Sequence, residues 1–556
     1  MKEKYFSLME KALSAYSSEH INRYFSDVKR NGLTEHGFPR LTANIGILIA
    51  NGRRKDLIPV FVEMMEFCCR TIPSVKAAND FSVREIVCCL HEFKRSGVVD
   101  RETIARWEGY LRSIDPSATY TCFAQTATDH VRNWALYTAA SEFFRQNEGL
   151  CDSKDFIDLQ LLQQSRWLDE NGMYRDADVY PPMNYDLVSR GLFSLIFDRG
   201  YKGKYYQAID EKLKKAGLLT LKMQSSAGEI PFGGRSNQFV FNEGWMAVIF
   251  EYEAKRYAKA GDIGLASRFK SAAERALAVT EKWLSKEPIR HIKNRYPTET
   301  GYGCEDYAYF DKYMITVASF LYAAYSVCDD AIPFTLMEDH DPCVAFTSSQ
   351  FSKLFLKCGG YGLEFDLYAD PHYDANGLGR LQRENAPSCI CMSCPCPQDP
   401  EYTVDIEEPF ALSLSSVLPD HGEWILGSGK GCTYTVIDTE SGSDRVSATL
   451  VCRFDEERFT EETYTVSEEG VLAEVKGTGE IGLALPALAF DGEKHTEIIK
   501  GESSLTIRYE GWICRYTTSG TITDINRTAA NRNGHYKMFV AFAQNSLKVK
   551  IEILPS

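Results

Sequence analysis

Apolar residues change their period once along this chain, near Ala331-Ile332-Pro333. Before that point they recur at helical spacing in FVEMMEFCCRTI, VREIVCCLHEF, WALYTAASEFF, LVSRGLFSLIF, WMAVIFEYEAKRYAKA and MITVASFLYAAYSV. After it, FSKLFLKCGGYGLEFDLYAD, RVSATLVCRF, ETYTVSEEGVLAEVKG, HTEIIKGESSLTIRYE and FVAFAQNSLKVKIEILP alternate apolar and polar residues between Gly-rich turns, the pattern of antiparallel strands. Two such halves in 556 residues, more than one core supports, predict a helical domain over 1–332 and an antiparallel β-sandwich over 340–556.

The helical half also has a longer rhythm. Roughly a dozen helices are expected, joined by turns such as Asn51-Gly52, Asn171-Gly172 and Ala260-Gly261-Asp262. The more apolar ones begin near Ser82, Asp129, Asn184, Asn242 and Asp306. That spacing, roughly 45 to 65 residues, is about one helical hairpin. More charged segments between them, such as Phe156 to Leu168 and Ile263 to Leu284, are expected on the outside. Segment lengths vary and no strict repeat is visible, so a closed (α/α)6-type toroid is predicted rather than an open solenoid.

A net charge of −15 and a pI near 5.3 argue against a polyanion held by bulk electrostatics, so no nucleic-acid partner is expected and an acidic ligand must be gripped locally. No stretch has the apolar length of a membrane span, and MKEKYFSLMEKALSAYSSEH reads as an amphipathic helix without a signal-peptide core. With 17 Cys and no export signal, the expected location is the cytoplasm. The string Cys389-Ile390-Cys391-Met392-Ser393-Cys394-Pro395-Cys396 admits a zinc reading, but no second ligand pair at matching spacing lies nearby. Period-two alternation places Cys389 and Cys391 on one strand face, which favours a thiol-rich core strand; no metal or cofactor is expected.

Inner helices of a toroid run parallel, so their N-termini gather at one end and bring partial positive charge and free N–H groups there. Unusual polar residues concentrate just before these helices. The first cluster, Thr128-Asp129-His130-Val131-Arg132-Asn133-Trp134, combines helix caps with His130, Asn133 and a stacking or core residue, Trp134. The second, Tyr180-Pro181-Pro182-Met183-Asn184-Tyr185-Asp186 with Arg190 a turn later, joins an amide, a phenol, a carboxylate and a guanidinium; a helix stop and an N-cap explain part of it. The third runs from Gly228 through Gly233-Gly234-Arg235-Ser236-Asn237-Gln238 to Asn242-Glu243-Gly244-Trp245. Its glycines allow close backbone approach to a ligand, and Arg235 suits a carboxylate; pairing of Arg235 with Glu243 or Asp306 is the structural alternative. The fourth carries Tyr302, Glu305, Asp306 and Tyr307. These carboxylates are either helix-dipole partners or, opposite Glu243 and Asp186, the paired acids of glycoside hydrolysis.

With Gly234-Arg235-Ser236 followed by an inner helix and later by Asp306-Tyr307-Ala308-Tyr309, the chain resembles bacterial α/α-toroid carbohydrate-active proteins with a C-terminal β-sandwich. These comprise the heparinase II/III-like lyases and the toroid glycosidases that include glycoside hydrolase family 154. The resemblance implies either exo-acting β-glucuronidase activity or β-elimination at a uronate, on a uronic-acid-containing oligosaccharide or glycoconjugate. By architecture, a toroid-plus-sandwich chain of this size presents enough surface for a homodimer. For hydrolysis, Glu305 or Asp306 is the expected acid and Glu243 or Asp186 the base or nucleophile. Asn184, Tyr185, Arg190, Arg235, Ser236, Asn237, Gln238, His130, Asn133, Trp134, Tyr302 and Tyr307 are expected to bind substrate, with Arg380 of GLGRLQRENAP either reaching in or belonging to a domain-interface loop. For elimination, Asn184, Tyr185, Arg235, His130 and Tyr307 would neutralise the carboxylate and move the proton. A pocket that binds glycan without cleaving it is the third reading.

Overall fold

The computed structural model describes residues 1–77, 79–122, 132–336 and 340–556. Helices come first: α1 Lys2–Leu13, α2 Ser18–Asn31, α3 Gly37–Ala50, α4 Ile58–Thr71, α5 Asn79–Ser96, α6 Arg101–Arg112, the one-turn α7 Pro116–Thr119, α8 Arg132–Asn147, α9 Lys154–Ser165, α10 Met183–Asp198, α11 Tyr206–Met223, α12 Asn242–Lys259, α13 Ile263–Leu284 and α14 Phe310–Val327. Packing closes a ring: α3 lies on α5, α5 on α8, α8 on α10, α10 on α12, α12 on α14, and α14 back on α3. Behind it, α4 backs α3, α9 backs α8, α13 backs α12 and α1 backs α14. This is the expected toroid. Its sixth inner helix is α3, which the five apolar starts do not include; GFPRLTANIGILIA is buried from Gly37 through Ile49 and so has no charged outer face to mark its period.

Glycine sets the approach of the inner helices. A Cβ on Gly191 of α10 would lie 2.3 Å from the Trp245 ring, and one on Gly244 of α12 would lie 2.7 Å from Phe320. Bare backbone at these points lets an indole and a phenyl ring fill the space between neighbours. Outer helices α2, α6 and α13 are capped by Ser17, Asp100 and Asp262, each accepting from a backbone N–H three residues on. Inner helices α3, α10, α12 and α14 begin without a side-chain cap. Among the described residues no helix is long and apolar enough to cross a membrane.

Strands follow. Antiparallel β1 Cys343–Phe346, β2 Lys353–Cys358, β3 Tyr361–Asp366 and β4 Gly377–Arg383 form one sheet in that order. An eleven-stranded sheet holds β5 Ser416–Asp420, β6 Glu423–Leu426, β7 Thr433–Ser441, β8 Arg445–Arg453, β9 Phe459–Ser467, β10 Gly470–Phe490, β11 Glu497–Lys500, β12 Ser504–Tyr509, β13 Trp512–Thr518, β14 Thr521–Asn531 and β15 Gly534–Pro555. Leu354, Leu356, Leu363 and Phe365 of the small sheet share one core with Val446, Ala448, Leu450 and Val466 of the large one.

Alternation along β2 and β3 does not separate core from water, because every residue of both strands is buried. The polar face covers the helical domain. Lys357 Nζ donates to Gln224 O at 3.1 Å, Phe232 N to Glu364 Oε2 at 3.2 Å, and Gln382 Nε2 to Glu229 Oε2 at 3.1 Å. Arg380 takes the domain-interface place rather than the substrate-binding one: it is 1% exposed and donates to Ile230 O at 2.7 Å, Ser393 O at 2.7 Å and Glu364 at 3.0 Å. The segment Cys389–Cys396 makes only the isolated bridges Leu381–Met392 and Cys396–Leu412 rather than a regular strand. Its thiols turn to separate partners, Cys391 Sγ lying 3.2 Å from Tyr516 Oη and Cys394 Sγ donating to Asn533 Oδ1 at 3.3 Å.

Candidate active site

The N-terminal ends of the inner helices surround a cavity of about 290 Å³. Its walls are His36 and Arg40 from α3 and its start, Phe81 of α5, Asn133, Trp134 and Tyr137 of α8, Asn184, Tyr185 and Val188 of α10, Arg235 and Phe241 before α12, Tyr307, and Lys312, Tyr313, Thr316 and Phe320 of α14. Distant stretches meet there because parallel core helices open on one side. Of the residues singled out from the sequence, Asn133, Trp134, Asn184, Tyr185, Arg235 and Tyr307 line it. His130 lies outside the described residues.

Arg235 rises from Gly233-Gly234, whose φ angles of 135° and 74° suit glycine. It pairs with neither Glu243 nor Asp306. Nη2 donates to Asp176 Oδ2 at 2.8 Å, and the guanidinium lies 4.8 Å from the Tyr185 ring centroid. Its side chain is 44% exposed and lines the cavity. Asp176 also accepts from Asn133 Nδ2 at 2.7 Å, while Asn133 Oδ1 has no partner among the described residues. Burial raises the Asp176 carboxyl above its ordinary range despite Arg235. Asn184 Oδ1 accepts from Asn242 Nδ2 at 2.9 Å, which turns the Asn184 amide NH2 towards the cavity.

Three hydroxyls form a chain at the wall. Ser236 Oγ lies 3.0 Å from Tyr185 Oη and 2.9 Å from Tyr307 Oη. Burial pushes both phenols above their ordinary range, so they hold their protons. Ser236 adopts φ of 56°, left-handed for a residue with a Cβ, and its N–H donates to Glu305 Oε1 at 2.6 Å.

Another part of the lining is cationic. Arg40 Nε donates to Glu85 at 2.9 Å and Arg84 Nη2 to the same oxygen at 3.0 Å, so two guanidiniums share one carboxylate and a positive charge is left over. Lys312 has no ion pair among the described residues, and burial lowers its amine. Burial, with Arg40 and Lys312 nearby, holds His36 well below its ordinary range as a neutral imidazole. Sequence reading missed His36, Arg40 and Lys312 as site residues; for Arg40 the signal was a charged residue inside the apolar stretch GFPRLTANIG.

None of the expected catalytic carboxylates lines the cavity, and among its described lining residues there is no Asp or Glu. Asp186 is 0% exposed, forked by Arg190 at 2.8 and 2.5 Å, and accepts from Tyr174 N, so Arg190 also faces the core rather than a ligand. Glu243 is sealed with Lys293 Nζ at 2.6 Å. Glu305 is held by Arg532 at 2.7 and 3.1 Å, and Asp306 is exposed outside the cavity. Asn237 and Gln238 are buried and joined at 2.8 Å, and Tyr302 stacks on Tyr296 at 3.5 Å. Ser236 stands behind the lining phenols.

No family model and no curated protein sequence matches the chain. Among solved structures it is similar to the heparan sulfate lyase HepC from Pedobacter heparinus at 10% identity, over 89% of this chain and 75% of that one, with a TM-score of 0.33. It is similar to a heparinase III at 9% identity, over 85% and 76%, with a TM-score of 0.35. A third is a glycosyl hydrolase family 88 protein from Bacteroides vulgatus, at 12% identity over 59% and 99%, with a TM-score of 0.39. At these identities and TM-scores the likenesses carry no argument about the reaction, and the site must be read from its own groups.

Proposed function

We propose that this chain is a carbohydrate-processing enzyme that binds an acidic sugar in the toroid cavity and cleaves a uronate-containing glycan by β-elimination. The observation that carries the proposal is the lining: Arg40, Arg235 and Lys312 among aromatic rings, with no carboxylate among the described lining residues. Aromatic faces receive the C–H face of a sugar ring, and a guanidinium grips a carboxylate.

In this reading Arg235 and the Asn184 amide hold the uronate carboxylate and make its C5–H more acidic. His36, neutral, takes the C5 proton; the released electron pair forms the C4–C5 double bond as the C4–O4 bond breaks. A phenol of the Tyr185–Tyr307 pair, still protonated, gives its proton to the departing O4. The step ends with an imidazolium, a phenolate, an unsaturated uronate and a new hydroxyl, and it returns to the start by proton exchange with water.

One observation favours a second reading, hydrolysis of a terminal β-linked glucuronic acid. The Asp176 carboxyl, raised by burial and bonded to Arg235 and Asn133 beside the cavity, has the character of a general acid. The test is to incubate the protein with a uronate polysaccharide and with an aryl β-glucuronide, following the ultraviolet absorbance of a C4–C5 double bond and release of the aryl group. New absorbance from the polysaccharide supports elimination. Aryl release without it overturns elimination in favour of hydrolysis, and silence on both overturns both.

A further inference from the structure

The turn between β14 and β15 crosses from the sandwich into the toroid wall. Its three polar residues are buried: Asn531 is 0%, Arg532 2% and Asn533 6% exposed. Asn531 Nδ2 donates to Cys394 O at 2.6 Å, and Asn533 Nδ2 donates to Lys293 O at 2.7 Å, which pins the turn on both sides. Arg532 Nη1 donates to Gly303 O at 2.6 Å, both its terminal nitrogens grip Glu305, and its guanidinium lies 4.1 Å from the Tyr402 ring centroid. Glu305 passes this order on, accepting from Ser236 N at 2.6 Å.

Ser236 needs such a hold. A left-handed backbone at a residue with a Cβ relaxes unless its surroundings fix it, and Ser236 Oγ is the atom that joins Tyr185 to Tyr307.

We infer that Arg532 and Glu305 are positioning residues: the β-sandwich hairpin, acting through Glu305 on the Ser236 backbone, sets where the phenols of Tyr185 and Tyr307 stand in the cavity. The inference rests on the reading of that cavity as a proton-transfer site, and it makes the β domain a part of the active site without touching substrate. Neither residue carries a proton in the reaction. Glu305, expected from its sequence position to be an acid, is instead a link between Arg532 and Ser236.

The test uses the full chain. 3-Fluorotyrosine is placed singly at 185 and at 307, and fluorine NMR is recorded for the parent, Arg532→Gln, Arg532→Lys, and Arg458→Gln as a control at an exposed pair in the same domain. Both resonances are expected to move beyond their line width in Arg532→Gln, to move part of that way in Arg532→Lys, and to stay in place in Arg458→Gln. In parallel, Arg532→Gln, Ser236→Ala and the double variant are assayed on a uronate polysaccharide. Each single change is expected to lower turnover by up to about 100-fold with KM much less affected, and the double variant to be no worse than either. Unmoved fluorine resonances, or losses that add, overturn the inference. If Arg532→Gln fails to fold, Arg532→Lys and Ser236→Ala give the same decision. Shifted resonances in a protein without turnover would support the positioning role while overturning the elimination reading.

Discussion

Removing the Arg235 side chain separates recognition of a carboxylate from recognition of a sugar ring. One N–H of its guanidinium is committed to Asp176, and 44% of the side chain is exposed at the cavity mouth, so the remaining donors are free for a ligand. A hydrogen bond to a charged group contributes about 1.5 to 3 kcal/mol, so Arg235→Ala should weaken glucuronate binding by about 10- to 150-fold. Glucose, which has the ring without the carboxylate, should keep its affinity within a small factor. Arg235→Lys should fall between, because an ammonium retains charge but not the fork. Titration calorimetry with both sugars, at low and high salt, gives the comparison, and the glucuronate affinity should fall with salt because the side chain is partly exposed. Equal losses for both sugars, or no loss for glucuronate, would refute the assignment of Arg235 as the carboxylate clamp.

Three further outcomes follow from the packing. Lys293→Met leaves Glu243 buried without its partner and should cost about 3 to 5 kcal/mol, while Lys293→Met with Glu243→Met should recover most of that; urea unfolding measures both, and a Glu243→Gln protein of parental stability without turnover would restore Glu243 as a catalytic group. Gly191→Ala forces a methyl against Trp245 and should destabilise by about 1 to 3 kcal/mol, read as a lower unfolding midpoint. Burial pushes the Asp374 carboxyl from 3.8 to about 7, with Lys353 opposing and Asp366 and Asp370 adding to the shift, and Asp374 accepts from Gly234 N at 2.7 Å. A carboxyl raised by folding holds a proton in the folded state that the unfolded chain has lost, so its contribution to stability is lost as pH rises through the folded value. Asp374→Asn should therefore flatten the decline in stability between about pH 4 and about pH 7, measured by urea midpoints across that range.

The architecture was legible because the two periods, helical and alternating, follow directly from which face of each element is buried. The toroid mouth was legible for the same reason: Asn184, Tyr185, Arg235 and Tyr307 stand just before or just inside inner helices, and helix direction alone brings them together. α3 escaped because burial on all sides erases the period, and His36 and Arg40 escaped with it. The carboxylates were misplaced for another reason. Charge type and helix position do not tell whether an acid meets water or a cation, and the cations that claim Glu243 and Glu305 come from 50 and 227 residues away. Asp186 was the exception, since Arg190 one turn later is a local partner.

Strands β2 and β3 have no face turned to solvent: one side belongs to the sandwich core, and the other grips the run from Gln224 to Phe232 that leads into Arg235. A helical fragment cut free near residue 332 would keep its ring of helices yet leave that run with donors and acceptors facing water instead of Lys357, Glu364 and Gln382. Such a fragment should hold its secondary structure and lose its affinity for acidic sugar. For protein engineering this makes the two halves one inseparable unit, and exchange of the C-terminal half between relatives becomes a way to retune a pocket it does not line.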